Sequence, residues 1–414
     1  MSWLALASRN LLRNARRSIT TIAAVALGYA AVNIFAGFSS YMFTSIRQAY
    51  IYDQANCHVQ VWKKDARHYS GSDPGAYLLS AEEFEEIKQF ASEDPRIELA
   101  AGMLEVRGNV DVDGTQSFFL GRAMVPSEQD AIHAKATSLR SRNHERFEGR
   151  PIADDTPEGI GITRGMQENF GIEVGADVIL MGPDISGQLN ATGAQVFQIL
   201  DLASEALNNR FVYLPLELAQ EYFSTDKVTC VRLLLKNEEE TDAVAEDLRE
   251  KFADRDWEVL PWYHVSDLYL RTKRMFDIIF GLVFVIIITI VTMSVLNTIG
   301  MAVVERTKEI GTLRAIGLKR PGVVKLFGIE SGLLGVIGAT VGLLLTAGFS
   351  LLIAGLKPTW EPPVTTRAVI WEIHLVPAYL TISFLVLVLF TFLAAIAPAR
   401  RASRQSIVDA LGHV

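Results

Sequence analysis

The chain has 414 residues, of which 50% are hydrophobic and 21% charged, and its mean hydropathy is +0.22. Its formal net charge is −8 at pH 7. So much apolar sequence beside so many charges excludes a uniformly soluble protein and indicates that membrane-spanning and soluble segments alternate. The acidic balance gives no reason to expect a nucleic-acid partner.

The chain starts with a short segment that predicts a helix with one apolar and one basic side. The apolar side would carry Trp3, Leu4, Ala7 and Leu11, and the basic side Arg9, Arg13 and Arg16. Such a helix suits the inner headgroup layer of a membrane, although it could equally be the end of the first span. The apolar run that follows, from about Ser18 to Tyr41, is too long for a cleaved signal peptide and predicts a retained transmembrane helix.

Strands and helices alternate in the long polar segment that follows. Cys57–Trp62 alternates like a strand, and Ser80–Ser92 predicts a helix with Ser80 as its N-cap and Glu83 completing a capping box. The pattern returns late in the segment as a strand, a helix and a strand, at Val228–Leu235, Glu238–Phe252 and Trp257–Trp262. These pieces predict an α+β domain built from both ends of the segment.

The middle of this segment, about residues 99–223, is rich in glycine and short strand patterns, which predicts a mostly β insertion. The only two cysteines of the chain, Cys57 and Cys230, flank it, and each is expected on a strand. An oxidising compartment permits a disulfide between them, and two buried free thiols are the alternative.

Three further apolar runs follow, over about Met275–Val304, Val323–Leu356 and Val376–Ala397. Each is long enough, at about 1.5 Å per residue, to cross a hydrocarbon core of about 30 Å. The middle one exceeds this length and must tilt or extend past the bilayer. In the first of the three, uncharged polar side chains predict hydrogen bonds between helices: Thr289, Thr292, Ser294, Asn297 and Thr298.

The run from Val323 carries five glycines at a spacing typical of close helix packing. They form two G-x-x-x-G pairs with one glycine between them: Gly328, Gly332, Gly335, Gly338 and Gly342. Near its start lies an ionisable residue, Glu330. We expect it either to pair with a basic residue of the preceding connector at headgroup level or to be a buried functional acid.

Clusters of Lys and Arg indicate the orientation. They precede the first run, separate the second from the third and follow the fourth, so the positive-inside rule predicts cytoplasmic termini and an exported segment from about Ser45 to Thr272. Residues 45–275 contain 24 basic and 40 acidic residues, a net charge of −16, whereas the remainder carries +8. The acidity outside could also serve only to keep a large domain soluble.

Motifs for catalysis are missing from the sequence. It contains no phosphate-binding G-x-x-x-x-G-K-[ST], no zinc-binding H-E-x-x-H and no G-x-S-x-G nucleophile turn. The seven histidines are scattered, and a lone histidine such as His58 or His264 is typically hydrogen-bonded or solvated rather than a metal ligand. We therefore expect no catalytic residue, cofactor or metal in this chain, and if ATP drives the protein, another chain binds it.

Between the second and third runs lies a short charged segment with the sequence E-R-T-K-E-I-G-T-L-R-A-I-G, from Glu305 to Gly317. Ile310, Leu313 and Ile316 recur at a spacing of three, which predicts an amphipathic helix. With the Lys319, Arg320 and Glu330 that follow, this segment resembles the loop after the second membrane span in the MacB/FtsX/LolC-LolE superfamily of ABC transporter permeases. Looser similarity to lipoprotein-releasing permeases extends over Gly161–Phe197 and Phe211–Leu216.

This resemblance implies a permease of the mechanotransmission type, in the cell inner membrane, that is not itself an enzyme. Two permeases, as a homodimer or heterodimer, would act with two ATPase subunits that bind ATP and Mg, in contact with membrane lipid. Lipoprotein cargo or a periplasmic adaptor would bind outside. The alternatives are a MacB-like exporter of peptides, toxins or drugs, and an FtsX-like regulator of a cell-wall hydrolase. The resemblance implies that the ATPase couples through Glu305, Arg306, Glu309, Ile310, Leu313, Arg314 and Gly317.

The predicted fold is an α-helical membrane protein with four transmembrane helices and a large α+β extracytoplasmic domain inserted between helices 1 and 2. In chain order the segments are a cytoplasmic amphipathic helix 1–17, transmembrane helix 18–44, periplasmic domain 45–272, transmembrane helix 273–304, cytoplasmic coupling helix 305–322, transmembrane helix 323–356, outer loop 357–375, transmembrane helix 376–398 and cytoplasmic tail 399–414. Within the domain, β-α-β pieces 50–98 and 224–270 flank the insertion 99–223.

Overall fold

The structure is a computed structural model that describes residues 3–13, 15–69, 74–112, 114–136, 147–200, 202, 205–360 and 369–406. The predicted tail beyond residue 406 and the middle of the predicted outer loop, residues 361–368, lie outside the described residues. The chain forms two compact units. The first comprises Met1–Phe43, Thr272–Pro358 and Trp371–Val414, and the second Thr44–Arg271 and Thr359–Ile370.

The helices of the described residues fall into long apolar ones and shorter ones. In chain order they are α1 (Trp3–Arg13), α2 (Ala15–Gln48), α3 (Ala66–Tyr69), α4 (Ala81–Glu93), α5 (Pro126–Ala134), α6 (Arg164–Phe170), α7 (Glu205–Asn208), α8 (Leu216–Phe223), α9 (Thr241–Lys251), α10 (Trp262–Val265), α11 (Asp267–Glu305), α12 (Thr307–Ala315), α13 (Arg320–Leu356) and α14 (Pro377–Arg404). A π-helical turn, Ala49–Asp53, continues α2.

Among the described residues, four helices are long and apolar enough to cross a membrane, which confirms the predicted fold class. They are Ala15–Asp53, Tyr269–Glu305, Arg320–Leu356 and Pro377–Arg404. The α+β unit lies between the first and second of them in the chain. The protein is therefore a membrane protein with a large domain outside the spans.

Four of the five glycines predicted to pack, Gly328, Gly335, Gly338 and Gly342, lie where a neighbouring helix leaves no room for a side chain, whereas a Cβ atom at Gly332 would lie 3.9 Å from the Phe392 ring. A Cβ atom at Gly328 would lie 2.8 Å from the Phe392 ring of α14, and one at Gly338 would lie 2.6 Å from Val25 Cβ of α2. At Gly342 the corresponding distance to the Ala26 carbonyl oxygen is 2.7 Å. Gly328 and Gly335 thus face α14, and Gly338 and Gly342 face α2, which allows these helices to pack closely.

Uncharged polar pairs join the spans, as the sequence predicts. Thr298 and Thr21 lie 2.6 Å apart through their hydroxyls, so one residue of the predicted set bonds a neighbouring helix. Thr289, by contrast, donates to the Val285 carbonyl of its own helix at 2.8 Å. A second link not predicted from the sequence joins Asn33 and Ser383, whose side chains bond at 3.0 Å.

The second unit is built on one ten-stranded sheet. The strands are β1 (Val59–Lys63), β2 (Ile97–Val112), β3 (Thr115–Met124), β4 (Phe147–Gly149), β5 (Gly159–Thr163), β6 (Asp177–Pro183), β7 (Leu189–Leu200), β8 (Phe211–Pro215), β9 (Cys230–Leu235) and β10 (Trp257–Pro261), with a separate pair β11 (Thr359–Trp360) and β12 (Val369–Ile370). The strand order of the ten-stranded sheet is β10-β1-β9-β2-β3-β8-β5-β7-β4, and β6 pairs with β2 and β7.

The long strand β2 is shared by both parts of the sheet. Its first half pairs with β9, and its second half with β3 and β6. The predicted start of the insertion, residue 99, lies inside this strand. Because β2 runs through both parts, the two parts form one continuous hydrogen-bonded sheet.

The helix α4 begins with the capping box that the sequence predicts. Ser80 accepts from the Glu83 backbone and Glu83 accepts from the Ser80 backbone. Glu83 also accepts from Lys63 and from the indole of Trp257, both at 3.0 Å, and its hydrogen bonds hold its pKa below the usual value against the opposing effect of burial. One carboxylate thus caps α4 and ties it to β1 and to β10.

Both cysteines are buried free thiols in the structure. Cys230 begins β9, but Cys57 lies before β1 with a φ of 56°, so the prediction that Cys57 lies on a strand was wrong. Burial raises the pKa of Cys57 to about 12 and that of Cys230 to about 11. Neither thiol is therefore reactive at neutral pH in the folded protein.

A buried histidine makes the stability of this unit depend on pH. His58 is fully buried, accepts the Leu235 amide at Nδ1 at 3.1 Å, and has its Nε2 3.3 Å from the Tyr52 hydroxyl. Burial, followed by the charges of Lys135 and Arg47, lowers its pKa to about 4. Folding therefore favours the neutral ring, and this contribution to stability is present above the ordinary pKa of 6.5 and lost as the pH falls toward 4.

We expect the free energy of unfolding to fall by about 2 kcal/mol between pH 7.5 and pH 5 because of His58. Thermal unfolding of the detergent-solubilised protein at several pH values measures this slope. His58→Gln should flatten it, whereas His264→Gln, at an exposed position, should leave it unchanged. An equal slope in the wild type and His58→Gln would contradict the assignment.

Candidate coupling site

The connector is the helix α12, which joins the ends of α11 and α13. It starts after Arg306, which has a φ of −104° and whose side chain makes no capping hydrogen bond. The hydroxyl of Thr307 instead donates to the Val303 and Val304 carbonyls at the end of α11, at 3.1 and 2.9 Å. The helix ends before Gly317, whose φ of 111° favours glycine.

One side of the connector is packed against the spans. Thr307, Ile310 and Gly311 are buried. Ile310 joins an apolar cluster that includes Val323 of α13 and Ala399 of α14. The connector is therefore held against three long helices rather than projecting freely.

A buried ion pair fixes the N-terminal end of the connector. Arg306 Nη1 lies 3.0 Å from Glu330 Oε1, and the two side chains are only 8% and 4% exposed. Arg306 Nη2 also donates to the Asn10 carbonyl at 3.1 Å, and the Asn10 amide donates to Glu330. The helices α1, α11 and α13 thus meet at one buried cluster of complementary charges, which we call the Arg306–Glu330 clamp.

Two outer ion pairs connect the N-terminal helices to the end of α11 and to the connector. Arg17 binds Glu305 through both carboxylate oxygens, at 2.9 and 2.7 Å, and Arg13 lies 2.8 Å from Glu309. The second pair is exposed, so it contributes little to stability. On the far end of the connector, Arg314 donates to the Gln405 carbonyl after α14.

The opposite side of the connector is exposed. Leu313 is 37% exposed and Ile316 is 79% exposed, and both stand among exposed polar or small residues. The exposed residues are Lys308, Glu309, Thr312, Leu313, Ala315, Ile316, Gly317, Lys319 and Arg320. We call this surface the connector face. Its apolar side chains and its lysines could dock against an apolar, acidic groove of another protein.

The structure divides the predicted coupling residues into three groups. Arg306 and Ile310 are buried within this chain and contribute to the base of the connector. Glu305, Glu309 and Arg314 bind other parts of the same chain, while Leu313 and Gly317 are exposed. Sequence reasoning missed Ile316 as a surface residue and Asn10 as part of the clamp.

The spacing between Ile310 and Ile316 in the sequence already indicates that their side chains point in different directions. Residues three apart differ by about 60° around an α-helix, so a residue six positions after Ile310 is displaced by about 120°. Ile310 and Ile316 therefore point to different sides, and Leu313 lies between them. No local signal exists for Asn10, because its partners lie some 300 residues away in the sequence.

Comparisons with known proteins agree with this arrangement. Residues 18–251 match the MacB-like periplasmic core domain, and residues 281–407 match the FtsX-like permease C-terminal family. An uncharacterized ABC transporter permease of Methanocaldococcus jannaschii is 24% identical over 346 residues, which is 82% of this chain and 80% of the relative. The lipoprotein-releasing system transmembrane protein LolC of Xylella fastidiosa is 22% identical over 84% of this chain and 85% of its own length.

A further relative shares only part of its length with this chain. The macrolide export ATP-binding/permease protein MacB of Chromobacterium violaceum is 33% identical over 146 residues, which is 34% of this chain and 20% of that protein. The MacB-like match alone covers more than half of the chain and the FtsX-like match includes the connector. The protein therefore belongs to the MacB/FtsX/LolC family of ABC transporter permeases.

Proposed function

We propose that the protein is a permease subunit that relays ATP-driven motion from partner ATPase subunits to its exported domain, for the release or transport of lipoproteins. The observation that carries the proposal is the connector itself. One side of it is fixed to the spans through the Arg306–Glu330 clamp, and the other side is exposed. A force applied to the connector face would therefore be passed to the spans.

The second span supports such a relay. The helix α11 has 39 residues without a break, about 58 Å at 1.5 Å per residue. Its C-terminal residue Glu305 is paired with Arg17, and Arg306 of the clamp follows directly. A continuous helix transmits displacement better than a flexible segment would.

The choice of cargo rests on the relatives. Similarity to LolC extends over 84% of this chain, which favours lipoproteins, and the higher identity to MacB over 146 residues favours export of peptides, toxins or drugs as the second candidate. A co-purified acylated protein would support the first, and a co-purified outer-membrane channel the second. In both cases ATP and Mg would be bound by a partner ATPase, and two permeases would act as a pair.

The connector face provides a direct test of the ATPase contact. We expect Leu313→Glu combined with Ile316→Glu to abolish co-purification of the ATPase, because both replacements bring charge into the apolar centre of the contact. Membrane insertion should persist, since neither side chain is buried in this chain. Affinity purification of the permease, followed by measurement of the bound ATPase, gives the result.

Leu189→Glu is the control, because Leu189 in the second unit is 82% exposed, about as much as Ile316. It should leave ATPase binding unchanged. Normal ATPase binding by the connector double variant would contradict docking at this surface.

We further propose that the protein lies in the inner membrane with both termini in the cytoplasm. A cysteine at Ser186, in an exposed turn between β6 and β7, should react with a membrane-impermeant thiol reagent in spheroplasts, and one at Lys319 should not. Both should react once the membrane is permeabilised. The native thiols should stay unlabelled because they are buried. The reverse pattern of labelling would invert the topology.

A further inference from the structure

Two arginines lie under the chain segment that leads into the sheet of the second unit. Arg232 on β9 is 1% exposed. It is the largest of the fully buried side chains in the described residues. Arg122 on β3 is partly buried. Both belong to the sheet face that also carries Met103, Met124 and Cys230.

The two guanidinium groups converge on neighbouring peptide groups. Arg232 Nη1 donates to the Ala55 carbonyl at 3.0 Å, and Arg122 Nη1 donates to the Gln54 carbonyl at 3.2 Å. Arg232 Nη1 also lies 3.8 Å from the sulfur of Met124, which is two residues from Arg122 on the same face of β3. Two positive charges are therefore held close together.

Neither guanidinium is in direct ionic contact with a carboxylate of the described residues, although the more distant charge of Glu105 acts on Arg122 and raises its pKa. Within the described part of the chain, no Asp or Glu forms a salt bridge with Arg122 or Arg232. Glu105 is the cross-strand partner of Arg122, but it is exposed. The Nε atoms of both arginines are buried and donate no hydrogen bond. A buried charge without an ionic partner is strongly unfavourable, so the environment of Arg232, which is fully buried, favours a compensating group nearby.

The nearby thiols do not supply that group. Burial raises the pKa of Cys57 to about 12 and of Cys230 to about 11, so both are neutral at physiological pH. Burial, and then the charge of Arg232, lowers the pKa of Arg122 to about 10, which still leaves it protonated. The two thiols therefore do not neutralise the guanidinium groups.

We propose that Arg122 and Arg232 form a binding site for a small inorganic monoanion such as chloride, which accepts hydrogen bonds from their Nε–H groups. A monoanion fits better than phosphate because each guanidinium already donates to a backbone carbonyl and the surrounding side chains are apolar or sulfur-containing. The site would hold the segment from Gln54 to Cys57, in which Ala55 and Cys57 have positive φ angles of 50° and 56°.

This site does not depend on the proposed transport function, and it is testable with the full-length protein in detergent. Thermal unfolding is measured in sodium chloride and in sodium methanesulfonate at equal ionic strength. We expect chloride, and also bromide, to raise Tm saturably by roughly 5 °C. Hydrogen exchange at residues 54–58 should slow in parallel.

Substitutions test whether the rise of Tm in chloride depends on the two arginines. Arg122→Gln and Arg232→Gln should lose the chloride response, while Arg255→Gln, which removes an exposed arginine paired with Glu86, should keep it. If the buried variants fail to fold, bromide soaked into crystals of the wild-type protein should give an anomalous scattering peak between the two guanidinium groups. The proposal would be overturned by equal Tm values in both salts or by the absence of the bromide peak. It would also be overturned by a chloride response that survives Arg122→Gln, or by one that is lost only in Cys230→Ser.

Discussion

Glu330→Ala should destabilise the first unit by about 3 kcal/mol or more, because it leaves the Arg306 guanidinium charged and buried without its partner. The Asn10 side-chain amide would lose its acceptor at the same time. The measurement is the free energy or midpoint temperature of unfolding in detergent. If the clamp positions the connector, the variant that remains folded should also bind the ATPase more weakly.

The exposed pair Arg13–Glu309 provides the matched control. Its side chains are 71% and 45% exposed, so Glu309→Ala should cost less than about 1 kcal/mol. Replacing both members of the clamp, with Arg306→Met and Glu330→Leu, should restore much of the stability because no uncompensated charge remains. A Glu330→Ala variant as stable as Glu309→Ala would show that the clamp is not needed.

A break in α11 should stop the transmission of motion. Three glycines inserted after Lys273 add a flexible joint to a helix that is otherwise continuous from Asp267 to Glu305. Glycine costs about 1 kcal/mol per residue within a helix, which is small beside the burial of a whole span in the membrane. We therefore expect normal insertion, normal ATPase binding and ATP hydrolysis, but loss of cargo release.

The control is the same insertion after Gly187, in the turn between β6 and β7. This glycine has a φ of 84° and open space around it, so the turn should accommodate three more residues. Cargo release should continue in this variant. Release at the normal rate in the α11 variant would rule out a relay through this helix.

The sequence predicts those features that depend on local patterns. Apolar runs identify the four long helices, because membrane solvation demands a fixed length of uncharged residues. The capping box at Ser80 and Glu83 is readable because both partners lie within four residues. Glu330 pairs with a basic residue at the base of the connector, which the sequence offers as one of its two alternatives.

Features that depend on distant contacts are not readable from one sequence. Arg232 lies in the apolar run Cys230–Leu235, and nothing in that run shows that the side chain is buried rather than directed to solvent. Cys57 looks like the start of a strand, but the turn held by Arg232 gives it a left-handed backbone. The link between α1 and the clamp through Asn10 likewise joins residues that no periodicity connects.

The central claim is that an ATPase docks on the connector face, and photocrosslinking tests it most directly. A photoreactive amino acid is placed at Ile316, with Leu189 as the control position, and the protein is illuminated in membranes together with its ATPase. We expect a crosslinked ATPase at position 316, with a yield that differs between the nucleotide-free and ATP-bound states, and none at position 189. An ATPase that co-purifies with the permease but never crosslinks from position 316 would contradict docking on the connector face.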